Sequence, residues 1–182
     1  MNYEFKSDRI GFRKWRENDK EVFATLNENK EVMEFFPKTL SKTESDNFVL
    51  KINQMFKQCS YGLYAIDELE TNKFMGFIGF WHPSFDLGFS PFIEIGWRLG
   101  REYWNKGYAT EGALECLKYG FNKLKFQSIY SLTSKTNLKS ERIMQKIGME
   151  KHMEFEHPKI EFGHEFKPHV LYKIENTAHN TV

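Results

Sequence analysis

The sequence has no run of about 18 apolar residues, so no membrane-spanning helix is expected. Cysteine is scarce: Cys59 and Cys116 are the only two, far apart and in no metal-ligand spacing. Such a pair reads as two reduced thiols of a cytoplasmic protein, not as a disulfide framework or a zinc site. An excess of charge is also missing, since 26 Lys+Arg against 25 Asp+Glu leave a net charge of +1. That gives no global footprint for nucleic acid or an anionic membrane, although a local basic pocket for phosphates stays open. Residues 1–6 contain no apolar core, so no secretory leader is expected. Internal repeats and low-complexity linkers are absent. Neither G-x-x-x-x-G-K-[ST] nor G-x-G-x-x-G occurs, which argues against a nucleotide-binding protein built on those loops.

What is present suits one folded unit. The chain has 182 residues, 40% hydrophobic and 16% aromatic, enough apolar material for a core. Residues 10–15 alternate weakly and predict a first strand. Asn18 or Asp19 can cap a helix carrying Val22, Phe23 and Leu26. Ser41-Lys42-Thr43-Glu44 is a capping box, and Phe48, Ile52, Met55 and Phe56 follow it at helical spacing. Residues 61–66 and 74–81 predict antiparallel strands around a polar turn at 70–73. Residues 85–91 read as an irregular loop. In the strand predicted over 92–99, Ile93, Ile95 and Trp97 share one face and Glu94, Gly96 and Arg98 the other. A loop over 100–107 leads to a helix with Leu114, Leu117, Phe121 and Leu124 as its apolar stripe. Residues 129–133 predict a strand. Asn137 caps a short helix bearing Ile143, Met144 and Ile147, closed by Gly148. One more clear strand spans 170–174. The order gives a mixed sheet with helices on its faces, not a regular βαβ repeat. We expect a single domain over 1–176 and a frayed tail over 177–182.

The sharpest feature is Glu94-Ile95-Gly96-Trp97-Arg98-Leu99 followed by Tyr103-Trp104-Asn105-Lys106-Gly107-Tyr108-Ala109-Thr110. A strand enters a short loop and a helix starts after Gly107. The free N–H groups and partial positive charge of a helix start suit a phosphate or pyrophosphate. Gly107 lets backbone approach an anion, and Lys106 can add side-chain charge. On chemistry alone, an ordinary strand–loop–helix connection explains the segment equally well.

Residues 104–109 resemble the acetyl-CoA pyrophosphate loop of GNAT acetyltransferases, written Q/R-x-x-G-x-G/A, with Trp104 departing from its first position. A tryptophan there is familiar in the branch that includes ribosomal-protein N-terminal acetyltransferases. The segment from Arg9 to Trp15 with Asp19 and Glu31-Val32-Met33 resembles the start of that branch. Thr136-Asn137-Leu138-Lys139-Ser140 with Ile147-Gly148-Met149 resembles its later CoA-side motif. The resemblance covers residues 8–175.

It implies an α/β (α+β mixed) fold: a mostly antiparallel twisted sheet with a central splayed parallel strand pair and helices on both faces. It also implies direct transfer, in a ternary complex, of an acetyl group from acetyl-CoA to an amine. By the same resemblance, backbone groups of Trp97, Arg98 and Leu99 bind the pantetheine arm, with a bulge in that strand freeing them. Trp104, Asn105, Lys106, Gly107, Tyr108, Ala109 and Thr110 form the phosphate loop, and Asn137 and Ser140 meet the pantetheine region. Glu94 is the candidate general base, against an exposed strand carboxylate or one that only attracts a cation. Ser140 is the candidate acid, with Tyr103, Tyr108 and Tyr130 as alternatives. A non-catalytic acyl-CoA-binding or regulatory module shares the loop and differs in needing neither acid nor base.

His157, His164 and His169 crowd one segment, but their spacing and the flanking Pro158 and Pro168 predict a loop rather than a metal site. They line an acceptor pocket or pack within the loop. Phe35, Phe36, Trp81, Phe85 and Phe89 are candidates for its apolar wall or for ordinary core. The acceptor amine itself stays open among a protein α-amino group, an aminoglycoside, a polyamine or another small amine. No metal, nucleic acid or membrane partner is expected. The family's habit leaves a homodimer open.

Overall fold

A computed structural model describes residues 2–89 and 91–176; the tail expected over 177–182 lies outside them. The elements are β1 (Phe5–Lys6), β2 (Ile10–Arg13), α1 (Asp19–Glu28), α2 (Lys42–Cys59), β3 (Leu63–Glu68), β4 (Phe74–Trp81), β5 (Glu94–Leu99), a 3-10 turn (Arg101–Tyr103), α3 (Tyr108–Asn122), β6 (Ser128–Ser134), α4 (Leu138–Lys146), β7 (Glu150–Glu156) and β8 (Pro168–Glu175). One eight-stranded sheet runs β1-β2-β3-β4-β5-β6-β8-β7. Its pairings are antiparallel except for β5 with β6. This is the mixed, mostly antiparallel architecture with a central parallel pair that the sequence led us to expect.

Local chemistry explains most boundaries. Ser41 and Glu44 form the reciprocal capping box that starts α2, and Ser60 in a left-handed conformation ends it. The cap expected for α1 is not made: Asn18 forms no side-chain cap bond. Asp19 instead binds Arg13 through both carboxylate oxygens, at 2.6 and 2.8 Å. Arg13 is simultaneously held by Asp67 on β3, with two bonds of 2.6 Å. All three side chains are buried, so two fork-shaped pairings tie β2, β3 and the start of α1 together.

The helices sandwich the sheet. Phe77 of β4 meets Phe23 of α1 and Phe48 of α2, whereas Ile78 and Phe80 point to α3. The stripe expected on α3 needs correction. Leu114 is exposed, and the buried face runs through Gly112, Ala113, Cys116, Leu117 and Gly120. Small residues face the sheet because the helix lies close to it: a Cβ on Gly112 would sit 2.4 Å from the Ile78 side chain. On α1, Val22 is likewise exposed, while Phe23 and Leu26 are buried.

Two strands were not expected. β1 is only two residues long. β7 carries Glu150, Lys151, Glu154 and Glu156 between its apolar residues and is mostly exposed, as the edge of a sheet tolerates. Asp67→Ala leaves the buried Arg13 with one carboxylate partner. It should cost about 3–5 kcal/mol, read as a lower midpoint in urea unfolding with an unchanged slope.

Candidate functional site

The parallel pair barely pairs. β5 and β6 share a single register position, Glu94 opposite Tyr130. The Tyr130 N–H donates to the Ile93 carbonyl at 2.8 Å, and the Ser131 hydroxyl donates to the Ile95 carbonyl at 2.9 Å. Backbone groups alternate along a strand, so those of Trp97 and Leu99 point the same way, with no ladder partner on β6. The strands have splayed by then. The bulge expected in this strand is absent: its register with β4 is unbroken from Glu94 to Leu99. Divergence of β6, not a kink in β5, frees the backbone.

The splay opens into a cleft of about 1050 Å³. That is ample for an extended ligand with a second molecule beside it. Along the cofactor-like side lie Gly96, Trp97, Arg98 and Leu99, then Trp104, Asn105, Gly107, Tyr108, Ala109 and Thr110. Asn137 and Ser140 enter from α4. Of the residues expected in the phosphate loop, Lys106 does not line the cleft.

The loop has the geometry of an anion cradle. Asn105 and Gly107 both adopt left-handed conformations, with φ of 58° and 82°. Gly107 precedes α3 and no side chain caps that helix. The amides of its first turn are therefore free to face a ligand. The loop is pinned from behind. Arg9 binds Glu111 in the first turn of α3 through its own N–H and its guanidinium, at 2.9 and 2.6 Å. Its guanidinium also donates to the Lys106 carbonyl at 3.1 Å and lies 4.3 Å from the centre of the Tyr108 ring. The Tyr108 hydroxyl donates to Glu68. Trp104 donates from its indole N–H to the Leu99 carbonyl at 2.9 Å, folding the loop back onto β5. These features suit a pyrophosphate at the loop and an extended arm along β5.

The opposite end is aromatic. Glu94 lies opposite Trp81, and Arg98 opposite Phe77, so both carboxyl and guanidinium face the α1 side of the sheet. Glu94 keeps some exposed surface but is surrounded by protein deep in the cleft. That burial pushes its carboxyl up to about 8. Phe35, Phe36, Phe48 and Trp81 line this end. Phe85 and Phe89 do not. They pack with Phe92, Tyr130 and Leu171 in a separate cluster.

His157 and His169 line the cleft with ring centroids 4.7 Å apart. Burial lowers His157 to about 4 and His169 below its ordinary value, so both rings are neutral at pH 7. His164 lies apart, against Phe166. Among the described residues no group of three or more His, Cys, Asp or Glu side chains is placed to hold a metal ion.

The remaining candidates divide. The Asn137 side chain accepts from the Ser140 N–H at 3.1 Å, which makes it the N-cap of α4. The Ser140 hydroxyl borders the cleft and has no protein partner among the described residues. The Tyr108 hydroxyl is already engaged by Glu68, and Tyr130 sits in the second aromatic cluster. Tyr103 lines the cleft but is buried. Glu111 and Phe48 carry no local signal as parts of the site, and Arg9 shows only in the opening resemblance, because their roles depend on the Arg9–Glu111 and Phe48–Arg98 contacts, whose partners are distant in the chain.

Comparison with known proteins identifies the frame. A family model described as an acetyltransferase (GNAT) domain matches residues 9–150. The uncharacterized protein YkkB of Bacillus subtilis (strain 168) is 29% identical over 144 residues, which cover 79% of this chain and 83% of that one. The crystal structure of a GNAT-family acetyltransferase from Bacillus anthracis superposes with a TM-score of 0.77 at 30% identity, over 94% of this chain and 97% of that one. The ribosomal-protein-S5-alanine acetyltransferase of Vibrio fischeri superposes with a TM-score of 0.75 over 97% and 98% of the two chains. Its 16% identity speaks for the fold alone. A splayed strand pair, an uncapped helix behind a left-handed glycine, and these matches together place the chain in the GNAT family, as an acetyl-CoA-dependent acyltransferase.

Proposed function

We propose that the protein is a cytoplasmic N-acetyltransferase that moves an acetyl group directly from acetyl-CoA to a primary amine. The observation that carries this reading is Glu94, a carboxyl with a strongly raised pKa at the inner end of the cleft. A base that must take a proton from an ammonium or amine near neutral pH needs such a value. In this reading the first-turn amides of α3 and the backbone around Gly107 hold the pyrophosphate. The backbone groups of Trp97 and the Leu99 N–H, which have no partner on β6, receive the pantetheine amides, and one N–H polarises the thioester carbonyl. Asn137 and Ser140 flank the sulfur end.

The chemistry then needs only proton traffic from this chain. The amine nitrogen bonds to the acetyl carbon while Glu94 removes its proton. The carbon–sulfur bond breaks, and the Ser140 hydroxyl delivers a proton to the departing sulfur and regains one from solvent. The carbonyl oxygen develops charge where the backbone donor waits. No covalent acyl-enzyme is required, because donor and acceptor share one cleft.

Three measurements test this reading. Thiol release from acetyl-CoA across an amine panel should show turnover; tight CoA binding with no transfer to any amine would refute it. The rate at subsaturating amine should rise with pH through about 8 as Glu94 ionises. Glu94→Gln should lower kcat about 100-fold or more and remove that limb.

The same group gives an activity-free check. Its folded-state value of about 8 lies above the 4.5 of an ordinary glutamate. The folded state therefore holds its proton more tightly, and the stabilisation present at low pH is lost as pH rises through about 8. The ligand-free melting temperature should fall across that window, and Glu94→Gln should flatten the fall. Gly107→Ala, at a φ of 82°, should weaken acetyl-CoA binding about 10-fold by calorimetry.

A further inference from the structure

Arg98 is in an unusual position for a cation. Its guanidinium lies 4.4 Å from the centre of the Phe36 ring, 5.5 Å from Phe77 and 5.9 Å from Phe48. Among the described residues no carboxylate comes within ion-pair distance of it. One donor, Nη1, is used at 2.6 Å by the side-chain oxygen of Asn27. The fully buried Asn27 amide in turn donates to Ser45 on α2 at 2.8 Å. The Nε–H is shut off from solvent and has no partner among the described residues. Burial lowers the guanidinium to about 10, which still leaves it charged at neutral pH.

A buried charge without a counter-charge is costly, and aromatic faces offset only part of that cost. The contrast with Arg13 is instructive. That arginine is the more deeply buried of the two, and it has two carboxylates, whereas Arg98 keeps part of its surface open to the cleft. Arg98 is held in a fixed orientation by a polar chain through Asn27 and Ser45, borders the cleft, and lacks an anion.

The anion is not one of the cofactor's phosphates, for which the cradle is the Gly107 loop beyond the end of β5. Arg98 instead shares a sheet face with Glu94, four residues away. The acceptor must present its nitrogen to that carboxyl. Charge at the cleft walls points the same way. Six Lys or Arg side chains border the cleft against two acidic ones, Glu31 and Glu94. Glu31 is already paired with Arg101, and Glu94 is protonated below about 8. A polyamine would find no spare carboxylate for its remaining ammonium groups.

Resting on the transferase reading above, we propose that the acceptor is an amino carboxylate, with its amine at Glu94 and its carboxylate on the Arg98 guanidinium between Phe36, Phe48 and Phe77. The apolar rings suit an amino acid with a hydrophobic side chain or methylene spacer. Arginine is the cation suited to a carboxylate, because it offers paired N–H donors in one plane.

The test uses matched acceptors that differ only in the carboxylate: L-phenylalanine against 2-phenylethylamine, and 6-aminohexanoate against pentylamine. At saturating acetyl-CoA, the carboxylate member of at least one pair should have the higher kcat/KM. Arg98→Gln should cut that ratio about 10- to 100-fold through acceptor KM, and Arg98→Lys should restore part of it. Reading the ratio within each variant cancels any general loss of activity. Plain amines that match their carboxylate partners in the unaltered protein would overturn the inference, as would equal losses for both members in Arg98→Gln. Either result leaves the transferase reading intact.

If no amine is turned over, that reading fails, and calorimetric titration of the two pairs into the CoA-loaded protein still decides the anion site. Binding of a carboxylate member that is weakened in Arg98→Gln supports the site, and equal or absent binding of both members refutes it. Should Arg98→Gln fail to fold, the unaltered protein's preference and the response of Arg98→Lys decide the matter.

Discussion

The site depends on two parallel strands failing to stay paired. A fully paired β5–β6 ladder would consume the backbone groups of Trp97 and Leu99 and leave no gap between the sheet's halves. One register position at Glu94, reinforced by Ser131 on the Ile95 carbonyl, holds the strands together at one end. Beyond it the sheet opens. The cost is a stretch of β5 peptide groups without a strand partner on β6, of which the Leu99 carbonyl is taken by Trp104. A ligand with regularly spaced amides can supply that partner.

Around this stretch the fold supplies rigidity on one side and adaptability on the other. Gly112 and Gly120 let α3 sit against Ile78 and Phe80 with little side chain between. The helix start is further clamped through Glu111 to Arg9 and Ser7. The anion cradle is thus anchored to core strands. The far wall is different. Phe36 is substantially exposed and comes from the connection between α1 and α2. His157 belongs to the β7–β8 connection, which is stitched by its own bonds, such as Lys167 Nζ to the Ile160 carbonyl at 2.6 Å.

Much of this was legible in the sequence, for definite reasons. The capping box, the alternation in β5 and the glycine before α3 are local signals whose meaning survives in any context. Alternation alone put Glu94 and Arg98 on one face. What escaped was set by tertiary neighbours. β7 hides its two core-facing residues among charges because only one side of an edge strand is covered. The α3 stripe was misread because the true contact face is small rather than apolar. Asp19 read as a cap, but the Arg13 guanidinium and the Arg16 N–H claim its carboxylate. The splay leaves no trace in residue types, since strands that diverge and strands that pair have the same composition. A half-buried guanidinium lacking a carboxylate is likewise invisible until its neighbours are known.

The separate construction of the two walls has an evolutionary consequence. Substitutions in the 30–40 and 157–167 connections alter the shape of the acceptor end, while the sheet register and the α3 clamp that shape the donor end are untouched. Drift in those connections can therefore retune which acceptor is taken one residue at a time, with donor chemistry carried along unchanged. On such a scaffold, related chains can keep one cosubstrate and diverge in acceptor without passing through an unfolded or inactive intermediate.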